Sequence, residues 1–155
     1  MFSLKEVNAH CDVPCGIYDP SAAQIAALST IRMIDLIEAS IEVKPQNEAD
    51  YFNNLTRYIA VKESEAIKCK NEIAIIWGDF IKPAHIDQHK DIHKIVHNIM
   101  ALGGAVKHHT SRDKAILLLQ EVNKFTKIFW SIKGIKTKVC KSPYAPNEDV
   151  VYPIL

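Results

Sequence analysis

The 155-residue chain lacks most features that would give its function away in bulk. Its formal net charge is only +1, so no strong field draws it to nucleic acid or to an acidic membrane. No apolar run approaches the roughly 18 residues that a membrane span needs. Cysteines number four, and no secretory signal precedes them, which argues against a disulfide framework. Cys69 and Cys140 stand alone and far apart, so a closed four-ligand zinc site has too few paired donors. An alternating strand pattern of any length is missing as well. The expected compartment is the reducing cytoplasm, where thiolates stay available to metal.

What is present is a dense cluster near the start, His10-Cys11-Asp12-Val13-Pro14-Cys15-Gly16-Ile17-Tyr18-Asp19-Pro20. Cys11 can bind a metal through its thiolate and its own backbone nitrogen, closing a five-membered ring. If the chain began at His10, its free amine and the Cys11 nitrogen would close a second. The Cys15 thiolate then completes a plane of two nitrogens and two sulfurs, with the His10 imidazole above it. Such a field suits nickel(II) or copper(II), not zinc. Pro14 and Gly16 fold the loop so that Cys15 returns to the metal.

The string HCDVPCGIYDP resembles the metal hook of the nickel superoxide dismutases, H-C-x-x-P-C-G-x-Y, and fits it at every patterned position. The likeness extends to Trp77-Gly78-Asp79-Phe80-Ile81-Lys82-Pro83 and to Ile128-Phe129-Trp130. It implies a superoxide dismutase that cycles one nickel ion per subunit between Ni(II) and Ni(III), turning superoxide into oxygen and hydrogen peroxide. It also implies a homohexamer, and a maturation protease that cuts before His10. On this reading residues 1–9 are a propeptide, 10–134 are hook plus bundle, and 135–155 are a C-terminal extension. From composition alone Met1–Ala9 is a frayed end; the hook's need for an amine at His10 turns that segment into a removable one. His10, Cys11 and Cys15 are the expected metal ligands and, with Tyr18, the catalytic set. By resemblance Tyr18 guards the open axial face, Asp12 steadies the hook, Val13–Pro14 is a cis peptide, and Lys82 touches the hook from its own or another chain.

Two positions depart from the family's better-known members. Ala26 stands where they place a carboxylate that holds the imidazole, and Glu65 where they place an arginine. Glu65, from its own or an adjacent subunit, is the expected replacement. Phe80 also replaces a frequent tyrosine. Two other classes use the same residues differently. A non-catalytic nickel or copper carrier would need neither cleavage nor redox cycling, and a helical interaction module would carry its thiols incidentally.

The remainder reads as an all-α, antiparallel up-down-up-down four-helix bundle with an extended C-terminal tail. Asp19 caps the first helix, with Pro20 as its first residue, and Pro45 ends it. Phe52, Leu55, Ile59, Ala66, Cys69, Ile73, Ile76 and Phe80 make a buried seam on the second, interrupted only by Lys62. The third runs from Ala84 to about Gly103, closed by Gly103-Gly104. It carries His85, His89, His93 and His97, which wind round the helix and cannot all meet one ion. Thr110-Ser111 and Asp113 restart the chain, and Gly134 ends a fourth helix with the seam Ala115, Leu118, Val122, Phe125, Phe129, Ile132. Cys69 is read as a buried thiol and Cys140 as an ordinary free one.

Overall fold

A computed structural model describes residues 16–43 and 45–155. Helix α1 (Ser21–Glu42) is followed by α2 (Glu48–Ile75), which widens into one π-helical turn at Ile76–Phe80. A short α3 (Pro83–Gln88) leads to α4 (Ile92–His108) and α5 (Arg112–Ile132). Two strands, β1 (Thr137–Lys141) and β2 (Asp149–Pro153), pair antiparallel at the end, Val139 opposite Val151. The four long helices pack in a ring: α1 on α2 and α5, α4 on α2 and α5. This is the expected four-helix bundle, with α3 as an extra turn and a half in one connection. Among the described residues no helix is long and apolar enough to cross a membrane.

The seam of α5 is buried as its spacing predicts, from Ala115 through Phe129. Ser111 caps this helix by accepting from the Lys114 N–H, and Gly134, at φ +70°, takes the left-handed turn that ends it. At α1 the start falls one residue later than expected. Pro20 holds the cap position, and Asp19 Oδ1 accepts from the Ser21 N–H at 2.8 Å instead.

Helix α2 departs further from expectation. Ala66, Cys69, Ile73 and Ile76 are buried, but Phe52 and Ile59 are exposed. The reason is length: α4 ends at the level of Lys62, so the turns of α2 before that point have only α1 beside them. Lys62 itself, read as an interruption, is buried. Its ammonium donates to the carbonyls of Val106 and Lys107 at 2.8 Å and of His109 at 3.4 Å. These are orphan C-terminal acceptors of α4, at the negative end of its dipole. Desolvation pulls the Lys62 pKa below its ordinary value, with neighbouring Glu63 opposing.

The single third helix expected from the sequence is two. His89 (φ −126°, ψ 68°) breaks it, which divides the histidine ladder between α3 and α4. Gly103 and Gly104 do not stop α4, which continues to His108. A Cβ on Gly103 would lie 2.7 Å from Lys70 Cγ, so this glycine lets α2 and α4 approach closely. The tail, expected to be extended, folds back as the hairpin and buries Val150 and Val151.

Lys62→Met should keep the apolar stem and lose the three hydrogen bonds, lowering stability by about 2 kcal/mol in chemical denaturation. Burial pushes the Cys69 thiol up to about 12 from 9.0. The neutral thiol's contribution to stability is therefore complete below pH 9.0, the unfolded value, and fades as pH climbs toward about 12. Alkylation mapped by mass spectrometry at pH 8 should find Cys69 unreacted in the folded chain, reacting only with unfolding.

Candidate metal centre

The hook residues His10, Cys11, Asp12, Pro14 and Cys15 lie outside the described residues, as does the Val13–Pro14 bond. What the structure describes is the platform from which that segment departs. Tyr18 precedes α1, and its ring packs on Phe80 with centroids 5.8 Å apart and planes tilted by 47°. Phe80 in turn packs on Phe129 of α5 at 4.9 Å and is stacked on His85 at 5.6 Å. The Lys133 ammonium sits 5.0 Å from the Phe80 ring centre. Each aromatic pair adds about 1 kcal/mol beyond area burial, so the cluster ties the foot of the hook to three helices.

The π-helical turn shapes this platform. The Ile81 N–H reaches back five residues to the Ile76 carbonyl at 3.3 Å, making a wider turn that ends on Phe80. Lys82 follows, with its ammonium exposed and donating to the Asp79 carbonyl at 2.7 Å. Its backbone N–H donates to His85 Nδ1 at 3.1 Å, which pins the start of α3. Trp77 Nε1 donates to His93 Nδ1 at 3.1 Å. Two of the four ladder histidines thus use a ring nitrogen to hold the chain itself.

Tyr18 Oη carries the strongest signal. The hydroxyl is buried and has no hydrogen-bond partner among the described residues. Leaving such a group unpaired costs about 1–3 kcal/mol, and the hook enters the chain three residues earlier. Two thiols, an imidazole and backbone nitrogens within six residues are a donor set that fits nickel, and this unpaired hydroxyl stands at their C-terminal end in the sequence.

The two departures from the family pattern lie in the bundle itself. Ala26 is fully buried in the bundle. Glu65 lines a groove with Ile25, Arg32, Met33 and Tyr144. Fifteen residues separate it from Phe80 along α2, about 20 Å of helix. Within one chain Glu65 and the Tyr18–Phe80 platform are therefore apart. His85 and Lys133 also belong to the platform. Helical spacing hides the part played by His85, because its stacking depends on the break at His89.

Comparison with known proteins gives a consistent answer. The sequence model of the family described as nickel-containing superoxide dismutase matches residues 5–133. The chain is 33% identical over 129 residues to "Superoxide dismutase [Ni]" of Streptomyces coelicolor, covering 82% of this chain and 90% of that one. It is 31% identical over 134 residues to the protein of the same name from Streptomyces seoulensis, covering 86% and 95%. A native nickel superoxide dismutase structure superposes with a TM-score of 0.69 at 27% identity, covering 80% of this chain and 99% of that chain. Another, with nickel ligation corresponding to the oxidised state, gives 0.70 at 28% identity, covering 81% and 99%. With the hook pattern, the ring of four helices and a match over most of its length, this chain belongs to the nickel-containing superoxide dismutase family.

Proposed function

We propose that His10, Cys11 and Cys15 hold the nickel ion, one per subunit, at which this superoxide dismutase turns superoxide into oxygen and hydrogen peroxide, and that the site forms once the chain is cut between Ala9 and His10. The buried Tyr18 hydroxyl, unpartnered among the described residues at the foot of the hook, is the observation that carries this reading. Nickel held there would supply the one-electron exchange with superoxide, through its Ni(II) and Ni(III) states.

The residues divide the remaining work. Cys11 offers a thiolate and its deprotonated backbone nitrogen, Cys15 a second thiolate, and His10 its amine and imidazole. These strong donors make the trivalent state accessible, which water ligands do not. An acylated His10 nitrogen is an amide and a poor donor, so the uncut chain binds weakly. The Tyr18 ring, fixed against Phe80, narrows the approach to small anions, and its hydroxyl orders water beside them. Asp12 steadies the hook and Pro14 sets its turn. Lys82, already anchored on the Asp79 carbonyl, presents a cation to a hook from its own or a neighbouring chain.

The assembly is a homohexamer in the cytoplasm, matured by a dedicated protease. Exposed Ile25, Phe52, Ile67, Ile75 and Trp77 are apolar surface available for subunit contacts. Glu65 orients the His10 imidazole in place of the carboxylate missing at Ala26, and its distance from the platform makes this a contact between subunits.

Protein beginning at His10 should bind one nickel per subunit by elemental analysis and consume superoxide. Protein retaining Met1–Ala9 should do neither above background. Nickel without turnover in the cut chain would make it a carrier, and loss of both would leave only a helical interaction module. Glu65→Ala should lower turnover per bound nickel by about tenfold and shift the nickel(III) resonance; an unchanged spectrum with unchanged turnover would reject that residue.

A further inference from the structure

The hairpin lies beyond residues 5–133, the part that the family shares, yet it is joined closely to the bundle. Gln24, in the first turns of α1, is only 4% exposed. Its Nε2 donates to Asn123 Oδ1 of α5 at 2.9 Å and to the Val151 carbonyl of β2 at 3.0 Å. Asn123 Oδ1 also accepts from the Val151 N–H at 3.3 Å, and Asn123 Nδ2 donates to the Asp149 carbonyl at 2.8 Å. Two side-chain amides thus serve the outer edge of β2 as a third strand would. Without the hairpin, the buried Gln24 amide would lose its Val151 acceptor.

A second anchor stands farther along. Arg112 donates to Asp35 of α1 and to Glu148, just before β2, each at 2.8 Å. At the other end, Tyr152 and Pro153 face Asp19 and Ser21 across a cavity of about 100 Å³ that Trp130 also lines. Asp19 is the residue after Tyr18. This is where α1 most needs restraint. The first turn of a helix has unpaired N–H groups and frays readily; Pro20 at the cap contributes no side-chain hydrogen bond, and Asp19 serves the Ser21 N–H alone.

We propose that the C-terminal hairpin is a positioning element for the metal hook, fixing the first turn of α1, and so the point where the hook leaves the bundle, through Gln24 and Asn123. The proposal rests on the hook reading given above. Gln24 and Asn123 act through α1 and touch neither the metal nor superoxide.

Three proteins beginning at His10 test it against wild type: Gln24→Leu, which keeps the buried volume, Asn123→Leu, and a chain ending at Gly134. Amide hydrogen exchange of residues 18–25 in nickel-free protein should quicken by about tenfold or more in each. After nickel loading, turnover per bound nickel should fall by about tenfold, with a broadened nickel(III) resonance, well below each variant's Tm. Unchanged exchange in Gln24→Leu overturns the proposal. So does faster exchange with per-nickel turnover and spectrum intact, since the hairpin would then only brace the bundle. Should the shortened chain fail to fold, the two substitutions decide. Wild type without nickel or turnover would sink the hook assignment instead, while the exchange rates still show whether the hairpin holds the start of α1.

Discussion

The contact of Phe80 with Phe129 on one side and Tyr18 on the other joins the approach to α1 to the body of the bundle. If the preceding residues hold nickel as proposed, their donors need a fixed base to return to after each electron is exchanged. Aromatic side chains suit that task, because they bury much surface with little rotamer freedom to lose. Phe80 owes its place to the π-helical turn, and Phe129 to the seam of α5. The platform therefore draws on the end of α2, the end of α5 and the approach to α1 together.

Around that platform the bundle is closed by polar groups used sparingly. Lys62 places one ammonium against three carbonyls at the end of α4, where water would otherwise be needed. Gly103 brings α4 close enough for the Lys70 stem to cover it. Gln24 and Asn123 close the outer edge of β2, and Arg112 spans two carboxylates. Lys62, Gln24, Asn123 and Arg112 are buried or half-buried polar groups with partners provided, the condition under which such groups fix one arrangement instead of weakening it. The single exception among the described residues is the hydroxyl of Tyr18, three residues after Cys15 in the chain.

Much of this was legible from residue order. Heptad spacing in α5 named its buried face residue by residue, because a helix packed along its whole length must repeat its apolar positions. The family was legible for a different reason: the hook pattern sits in adjacent residues, where sequence alone displays it. Lys62 was visible only as an anomaly, and Gly103-Gly104 suggested a stop where packing needed closeness. The hairpin is not legible in the sequence because strands of five residues carry little periodic signal, and its partners are Gln24 and Asn123 on distant helices.

By itself, then, the sequence determined the helical class and the family, and it carries the proposed metal donors and cut site, all of which depend on neighbours along the backbone. Tertiary structure decided where α2 is buried, that Phe80 is the floor beneath Tyr18, that Glu65 stands away from that floor in the same chain, and that the tail returns to the start of α1. Those features arise between residues far apart in the chain, where helix length, crossing points and the last hydrogen-bond partner available set the outcome.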